Sequence, residues 1–273
     1  GYFYPDTVIA GFSHLHLSGT GAGDLCDISF LPVSGEERSA RLDSISKKET
    51  VYSRFSHSRE KASPGYYQVY LDDYDVNVEL TATTRSGLQR YTFNSEDAQV
   101  VRLHLGYARN WDWVTDSQIE ILNDSTIAGY RMSSGWAKDQ RVYFYSTFSK
   151  PIKTYELSDQ GMEAKNEKVN GKNVLGRFYF DHSRENELMV KTAISSVSIE
   201  NAKMNLEAEQ SGFDFELIRQ QAVDAWNAQL SKIQVQTSED DKKQFYTAMY
   251  HSMLAPITFS DVNGDYKGPD GNI

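Results

Sequence analysis

The residues whose types and spacing favour chemistry are concentrated in the segment Gly11–Asp27, which reads GFSHLHLSGTGAGDLCD. Gly19, Gly21 and Gly23 alternate with small residues, so the backbone there can approach another group closely. The spacing differs from a GxGxxG phosphate loop, because the third glycine comes one residue early and a strand-like sequence follows it instead of a helix. A nucleotide site is therefore disfavoured.

Two histidines and a cysteine in the same segment are the next candidates. His14 and His16 alternate and would share one face of an extended chain. A metal site would need a third ligand, for which Asp24 or Asp27 is available, but histidines hydrogen-bonded within a rigid loop are the favoured interpretation. Cys26 lacks the His-plus-acid arrangement of a nucleophile, so we predict a buried thiol.

An acidic turn near the end of the sequence resembles the first half of a calcium loop. Asp261, Asn263 and Asp265 alternate as such a loop requires. The match is weak, because Tyr266 stands where the loop needs glycine and Asn272 stands where it needs glutamate. A solvated turn and a turn that meets sugar hydroxyls both remain open.

Indole side chains lie beside hydrogen-bonding residues in two places, at Trp111 and Trp113 and at Trp136. A flat apolar face next to polar groups is the combination that a sugar site uses. For each tryptophan taken separately, a place in the core is the alternative.

Composition excludes several function classes. The 273 residues carry 28 Lys and Arg against 38 Asp and Glu, a net charge of −10 that disfavours nucleic acid and anionic lipid as partners. No apolar run approaches the roughly 18 residues of a membrane span. The single cysteine excludes an intramolecular disulfide framework and a thiolate zinc cluster.

The elements that position these residues are predicted to be strands from about Tyr2 to Glu200. Apolar and polar residues alternate there with period two, and 12% of the chain is aromatic, as suits broad antiparallel sheets. With no helices between the strands, the pattern predicts a sandwich. Hairpin turns are predicted at Asn123-Asp124 and Asn170-Gly171. The strands are predicted at 66–71, 76–80, 101–105, 118–122, 126–133, 141–147, 176–181 and 187–198.

Two helices are predicted after Asn201. The first has an apolar stripe from Phe215 to Ile233 at steps of three and four residues. The second begins at Ser238, with Asp241 three residues on as in a capping box. Its predicted buried side is Phe245, Ala248, Met249, Ser252 and Met253.

The two ends of the sequence differ in what they indicate. The chain starts at Gly1 with no initiator Met, basic region or apolar region, so we expect no secretory signal within it. The last stretch, 260–273, is rich in turn residues, and we expect it to belong to a domain of which this sequence contains only the first part.

Five segments in order resemble glycoside hydrolase family 92, the calcium-dependent exo-acting α-mannosidases of bacteria, many from glycan-foraging gut Bacteroidetes. The departures are small: Lys267 replaces a frequent Arg, and the position of Ala22 varies in the family. The segments are GFSHLHLSGTGAGD, ASPGYYQVYLDDY, ELTATTRSGLQRYTF, SSGWAKDQRVYF and FYTAMYHSMLAPITFSDVNGDYKGPDG.

The resemblance implies a mainly β fold: an antiparallel β-sandwich of the supersandwich type, two linker helices and the start of an (α/α)6 barrel. The implied domains are 1–200 for the sandwich, 201–255 for the linker helices and 256–273 for the truncated barrel. Enzymes of this type invert the anomeric configuration with a carboxylic acid and a carboxylate base, and calcium holds the mannose hydroxyls. The resemblance places the acid, the base and most calcium ligands downstream of this chain, so no residue here is assigned as catalytic or as a metal ligand.

The expected contribution of this chain is one wall of the subsite for the terminal mannose. The glycine-rich segment Ser18–Asp24 is the leading candidate, because small residues permit close approach while backbone amides and Asp24 bind hydroxyls. The substrate-binding candidates are Ser18, Gly19, Thr20, Gly21 and Asp24, then His16 and Trp136, and finally Asp261 and Asp265.

The resemblance therefore predicts the N-terminal part of an inverting exo-α-mannosidase, inactive alone. Its expected partners are mannose-containing glycans and its own C-terminal barrel domain, in the periplasm or outside the cell. The alternatives are a non-catalytic carbohydrate-binding module that uses Trp111 and Trp113, and a structural sandwich that mediates assembly.

Overall fold

A computed structural model describes residues 4–15, 26–40, 49–108, 112–135, 137–182 and 186–273. A long succession of strands precedes three helices, α1 (Ile199–Glu209), α2 (Phe215–Leu230) and α3 (Glu239–Ser252). A short 3-10 helix spans His57–Arg59. The strands are β1 (Val8–Ile9), β2 (Phe12–Leu15), β3 (Asp27–Ser34), β4 (Ser39–Ala40), β5 (Thr50–Val51), β6 (Ser53–Arg54), β7 (Glu60–Ser63), β8 (Tyr66–Leu71), β9 (Val76–Ala82), β10 (Ser86–Phe93), β11 (Gln99–His104), β12 (Trp113–Asn123), β13 (Thr126–Ser134), β14 (Gln140–Phe148), β15 (Thr154–Asp159), β16 (Met162–Glu163), β17 (Lys168–Gly171), β18 (Val174–Phe180) and β19 (Glu187–Ser195).

Two large antiparallel sheets form the strand-rich part. One has nine strands in the order β17-β12-β13-β14-β19-β10-β9-β8-β7, and the other has six in the order β16-β15-β18-β11-β3-β2. Two small two-stranded sheets pair β1 with β6 and β4 with β5. This architecture confirms the predicted mainly β fold with antiparallel sheets.

The core lies between the two large sheets. Phe144 and Val190 project into it from the nine-stranded sheet, and Val101 and Phe178 project from the six-stranded sheet. In β14, buried residues alternate with half-buried or exposed ones. Because side chains on a strand point alternately to the two faces, the period-two pattern predicted these strands to within a few residues. The predicted buried thiol of Cys26 is also confirmed.

One of the two predicted hairpin turns is correct. The chain turns between β12 and β13 just after Asn123, whose side chain accepts a hydrogen bond from the Ser125 amide at 3.0 Å. Asn170 and Gly171, by contrast, are the last two residues of β17. The carbonyl of Gly171 accepts a hydrogen bond from Ser117 Oγ at 2.7 Å, so pairing with β12 holds this dipeptide in the sheet.

Helix α1 was not predicted. The strand predicted to run to Ser198 ends at Ser195, and Ser198 instead caps α1 by accepting a hydrogen bond from the Asn201 amide at 3.0 Å. The helix lies on β19 and β14. Its buried face carries Asn205 between Ala202 and Leu206, and this polar residue interrupts the apolar stripe that would have revealed a helix.

The other two helices are confirmed, although α2 ends at Leu230 and leaves Ile233, the last residue of its predicted stripe, exposed. Phe215 and Ile218 of α2 are buried against the nine-stranded sheet. Ser238 caps α3, since its Oγ accepts from the Asp241 amide at 3.2 Å. The buried side predicted for α3 is wrong, because no residue of this helix is buried. The helix packs on α2, where the rings of Trp226 and Tyr250 lie 4.6 Å apart.

Of the helices in the described part of the chain, none has the length and apolarity needed to traverse a bilayer.

Candidate functional site

Several strand ends of the nine-stranded sheet meet at one end of the sandwich. Trp113 at the start of β12 pairs with Ser134 at the end of β13. Ser133 pairs with Gln140, the first residue of β14, and β19 runs beside β14 to finish at Ser195. The chain therefore enters and leaves this sheet several times at the same end of its strands, which we call the loop end.

Arg131 joins the two sheets at the loop end. Its guanidinium is fully buried and crosses from β13 to the first residue of β3, where it donates to the carboxylate of Asp27. It also donates to the carbonyl of Leu105 at 3.1 Å, to the carbonyl of Tyr107 at 3.0 Å and to Asp112 Oδ2 at 2.7 Å. One side chain thus holds both sheets and the connection between β11 and β12.

The electrostatics of this cluster are unusual, because two buried carboxylates share one guanidinium. Burial raises the pKa of Asp27 to about 6; Asp112 adds to the rise, whereas Arg131 and the amide of Gln140 oppose it. Asp27 Oδ2 and Ser133 Oγ have no hydrogen-bond partner within the described ranges. The cluster therefore contains buried oxygen atoms that can still accept a hydrogen bond.

One feature of the sequence could have indicated this cluster. Arg131 occupies an inward-facing position of β13, on the same face of the strand as Ile127 and Gly129. A charged residue at an inward position of an alternating strand needs a buried partner. The spacing in the sequence indicates Asp27 only as an available metal ligand and gives no indication of Asp112.

The acidic turn containing Asp261 is fixed to the end of the sandwich and to α1. Asp261 is 3% exposed. Its carboxylate accepts hydrogen bonds from Ser195 Oγ at 2.7 Å, from Asn201 Nδ2 at 2.8 Å and from Asn205 Nδ2 at 2.7 Å. The Asp261 amide donates to the carbonyl of Asp265 at 2.8 Å, which closes the turn.

Asp265 is the more accessible of the two acidic residues. Its Oδ2 accepts from Asn263 Nδ2 at 2.6 Å and from Asn201 Nδ2 at 3.2 Å. Because amide N–H groups point at the carboxylates of Asp261 and Asp265, this turn does not fit a calcium ion, which needs oxygens directed inward. Within the described ranges, no three His, Cys, Asp or Glu side chains converge as metal ligands would.

A lysine links this turn to the β13–β14 connection. Lys267 Nζ donates to Asp139 Oδ2 at 2.6 Å. Arg141 and Lys267 together lower the pKa of Asp139 to about 2. The segment 260–268 therefore reaches the loop end and lies beside the strand ends gathered there.

His14, the first histidine of the segment Gly11–Asp27, has hydrogen-bond partners on both ring nitrogens. Its Nδ1 donates to the carbonyl of Ile28 at 2.9 Å, and its Nε2 accepts from Gln89 Nε2 at 3.4 Å. Burial lowers the pKa of His14, so the ring is held neutral. This arrangement is the hydrogen-bonded histidine that the sequence favoured over a metal ligand.

Of the predicted substrate-binding residues, only Asp261 and Asp265 lie within the described residues, and the structure brings them together in one turn. Sugar binding by any of the nine candidates stays a prediction. The candidates outside the described residues are His16, Ser18, Gly19, Thr20, Gly21, Asp24 and Trp136.

Comparison with known proteins gives consistent results. Residues 1–195 match the N-terminal domain of glycosyl hydrolase family 92, and residues 201–273 match the catalytic domain of that family. A family GH92 alpha-mannosidase from Bacteroides thetaiotaomicron superposes with a TM-score of 0.92 at 35% identity, covering 100% of this chain and 38% of the mannosidase. Its complex with mannoimidazole gives 0.92 at 34% identity, covering 100% of this chain and 37% of the mannosidase.

Two more distant relatives are similar over almost the whole of this chain. An inverting mannosidase of family GH92 from the same organism has a TM-score of 0.82 at 24% identity, covering 99% of this chain and 36% of that protein. A protein of Arthroderma benhamiae called an uncharacterized secreted glycosidase is 24% identical over 295 residues, covering 93% of this chain and 36% of the relative. This chain thus spans little more than a third of these relatives. By the family matches along its length, the chain belongs to glycosyl hydrolase family 92.

Proposed function

We propose that this chain is the N-terminal part of an exo-acting α-mannosidase that hydrolyses terminal α-mannosyl linkages of glycans with inversion. The observation that carries the proposal is the 35% identity to the alpha-mannosidase from Bacteroides thetaiotaomicron, together with superposition of the whole chain at a TM-score of 0.92. The mannoimidazole complex of that relative supports mannose as the sugar that is bound.

In this proposal the loop end shapes the mannose subsite. Asp265, Asp139 and the strand ends around Arg131 lie there, and the segments containing the other seven candidates are joined to the same strand ends. Backbone amides of a glycine-rich segment and a nearby carboxylate suit sugar hydroxyls. The role of these residues is to bind and orient the terminal sugar.

The reacting groups belong to the part of the protein that this chain does not include. Inversion needs a carboxylic acid that protonates the leaving oxygen and a carboxylate that activates water. The buried carboxylates here, Asp27, Asp112 and Asp261, are bonded to protein donors. Calcium dependence of the full-length enzyme is part of the proposal, with its ligands elsewhere, because the Asp261–Asp265 turn does not fit the ion.

We also propose that this chain packs on its own barrel domain. Apolar side chains are exposed on α2 and on the chain after it, at Leu217, Ile233, Ile257 and Phe259. An exposed group of large apolar residues indicates a surface that another element covers. The secreted glycosidase among the relatives supports a periplasmic or extracellular location.

The alternative function is a non-catalytic carbohydrate-binding module. The observation that favours it is Trp113, which is 57% exposed at the loop end and so presents an indole on which a sugar can stack. Calorimetry of the isolated chain with mannosides separates the two functions. Measurable affinity that Trp113→Ala abolishes favours the module, and no affinity favours the incomplete pocket.

The experiment that tests the proposal is mannose release from α-linked manno-oligosaccharides. We expect turnover by the full-length protein, its loss on treatment with a chelator and its recovery on adding calcium, whereas the chain of 273 residues alone releases no mannose. Full-length protein without turnover on any α-mannoside, or turnover by this chain alone, contradicts the proposal.

A further inference from the structure

We infer that a cavity near the end of β12 opposite to the loop end binds a neutral saccharide unit, so that the protein holds a glycan at a second place. The cavity has a volume of about 570 Å³ and lies between β12, β15 and the segment 165–168. That volume is within the range of sites for small organic ligands. The inference goes beyond the proposed function and takes from it only the glycan used as a probe, a soluble α-mannan.

The cavity is well separated from the loop end. Trp113 begins β12 at the loop end, whereas Glu120 and Ile121, which line the cavity, are seven and eight residues further along the strand. A strand rises about 3.3 Å per residue, so roughly 23 Å separates the two places. A saccharide in the cavity therefore does not occupy the proposed mannose subsite, and its binding can be measured separately.

Two side chains give the cavity an apolar wall of fixed shape. Tyr155 of β15 and Ile121 of β12 are half-buried and pack against the main core between the sheets. Both also line the cavity, so the part of each side chain that the core leaves uncovered is available to a ligand. An aromatic ring beside an aliphatic group is a surface on which the C–H face of a pyranose can pack.

The segment that forms the opposite wall is fastened to both large sheets. The amide of Ala164 donates to the carbonyl of Leu157 in β15 at 2.7 Å, and the amide of Ile121 in β12 donates to the carbonyl of Glu167 at 2.7 Å. Residue 168 then begins β17, which pairs with β12. Because this wall is anchored at both ends, the cavity is formed before a ligand binds, as is usual for binding sites.

The wall segment supplies both donors and acceptors. Lys165, Asn166 and Glu167 are exposed and line the cavity. The ammonium group donates, the carboxylate accepts and the amide does both. A sugar hydroxyl donates one hydrogen bond and accepts others, so a site for sugar needs both kinds of partner.

The carboxylate on the β12 side of the cavity has a fixed orientation. Glu120 Oε2 accepts from Lys168 Nζ at 3.0 Å and from Gln118 Nε2 at 3.2 Å. Gln118 is itself held by Asn170 of β17, whose Nδ2 donates to Gln118 Oε1 at 3.0 Å. A polar group that its neighbours orient in advance loses little freedom when a ligand binds.

The charges that line the cavity cancel. Two lysines, Lys165 and Lys168, are balanced by two glutamates, Glu120 and Glu167. An anionic ligand, such as a phosphorylated sugar, or a cationic ligand therefore gains no net attraction. A neutral molecule with many hydroxyl groups fits an apolar wall combined with mixed donors and acceptors, and a glycan has this chemistry.

The test is binding of a soluble α-mannan to the full-length protein while its mannose subsite is saturated with mannoimidazole. Calorimetry measures the Kd of the mannan for wild type, Tyr155→Ala and Asn166→Ala, and Tm is measured for each protein. Tyr179→Ala is the matched control. Tyr179 is a half-buried tyrosine on the neighbouring strand β18, and because Phe178 is the residue paired with Tyr155, the Tyr179 side chain points to the other face of the sheet.

We expect the saturated wild type to bind the mannan, Tyr155→Ala to raise its Kd by about fivefold or more, and Asn166→Ala to raise it by about threefold. Tyr179→Ala should leave the Kd within about twofold, because a surface tyrosine on the other face of the sheet makes no contact with the ligand. KM and kcat on a small synthetic α-mannoside should stay within about twofold in all three variants, since the reacting sugar binds at the loop end.

Saturated wild type that does not bind the mannan overturns the inference, and so do folded Tyr155→Ala and Asn166→Ala variants that keep the wild-type Kd. If Tyr155→Ala does not fold, Asn166→Ala decides alone, because its side chain is exposed.

Mannose release by the wild type keeps this result separate from the proposed function. An enzyme that cleaves α-mannosides but does not bind the mannan when saturated contradicts the second site and leaves the proposed function intact. A protein that neither cleaves α-mannosides nor binds mannoimidazole, but whose binding of the mannan is weakened by Tyr155→Ala, supports the second site and contradicts the proposed function.

Discussion

The carboxylate of Asp261 accepts a hydrogen bond from Asn205 Nδ2 at 2.7 Å, and the backbone amide of Val262 donates in turn to Asn205 Oδ1 at 2.9 Å. One buried asparagine of α1 therefore satisfies both the side chain and the backbone of the Asp261–Asp265 turn. Within the described ranges, the side-chain donors to the Asp261 carboxylate are the neutral groups of Ser195, Asn201 and Asn205.

We predict that Asp261→Asn destabilises this chain by about 2–4 kcal/mol, because the new amide N–H groups face the donors of Asn201 and Asn205 and leave buried polar groups unpaired. Urea unfolding followed by far-UV circular dichroism at pH 7 measures the change. Asp270→Asn is the control, since Asp270 is an exposed turn residue bonded to Asn272, and we expect less than about 0.5 kcal/mol there. Equal stability of the two variants would contradict the role of the Asp261 carboxylate as a buried hydrogen-bond acceptor that stabilises the turn.

The sequence predicted the sheets well because alternation is a local signal. In β14, Phe144 faces the core and Tyr143 faces outward, as their positions in the pattern require. The α1 helix escaped detection because Asn205, a polar residue, is buried where an apolar one was expected. The buried side of α3 was wrong for a different reason: a stripe shows that a face is apolar but not which partner covers it.

The candidate site was less predictable because it depends on contacts between distant parts of the chain. Asp261 and Asp265 were singled out from their spacing, but their partners on α1 lie about 60 residues earlier. The partnership between Arg131 and Asp27 joins residues 104 positions apart and opposite sheets. Such pairs follow from the packing of the two sheets, which a periodic pattern in one strand does not specify.

Gly65 provides a test of how α2 is attached to the sandwich. It lies between β7 and β8 with a φ of +84°, and an added Cβ would lie 3.0 Å from the backbone carbon of Ala222 on α2. We predict that Gly65→Ala costs about 2–4 kcal/mol, from the left-handed backbone and from displacement of the helix.

Gly161→Ala is the matched control for Gly65→Ala. Gly161 has a similar φ of +80°, but nothing lies within 4 Å of an added Cβ. Only the backbone cost of about 1 kcal/mol is expected there. Chemical denaturation of both variants gives the difference, and equal losses would show that α2 does not press on Gly65.

The ion pair between Glu79 and Arg90 is predicted to stabilise the folded chain more than the pair between Glu216 and Arg90 does. Glu79 is 13% exposed, receives two N–H bonds from Arg90 and accepts from Tyr66 Oη at 2.7 Å, whereas Glu216 is 60% exposed. Burial opposes a lower pKa for Glu79, but these hydrogen bonds outweigh it and the pKa is lowered.

We therefore expect Glu79→Gln to lower the free energy of unfolding by about 1–3 kcal/mol at pH 7 and Glu216→Gln by less than about 0.5 kcal/mol. Since the folded-state pKa of Glu79 is depressed, its contribution is present above the unfolded value and disappears as the pH falls through the folded value. In urea titrations, the difference between wild type and Glu79→Gln should be smaller at pH 3 than at pH 7. A difference in the free energy of unfolding that is the same at both pH values would contradict a stabilising ion pair between Glu79 and Arg90.

Asp27 is predicted to have the opposite pH dependence. Burial raises its pKa from 3.8 to about 6, so between these values the folded chain holds a proton that the unfolded chain has lost. Stability from this group is complete below about pH 4 and is lost as the pH rises through about 6. The groups that face it are Arg131, Asp112 and Gln140, and after Asp27→Asn the side-chain amide oxygen would still accept from Arg131.

Asp27→Asn should therefore gain stability relative to wild type as the pH rises, by on the order of 3 kcal/mol between pH 4 and pH 7. Asp139→Asn is the contrasting variant, because Arg141 and Lys267 lower the pKa of Asp139 to about 2 and wild type should lose its advantage over this variant only as the pH falls towards 2. Urea unfolding across this pH range checks both directions. A wild-type advantage over Asp27→Asn that does not change with pH would mean that Asp27 is already ionised at pH 4, with Arg131 outweighing the cost of burial.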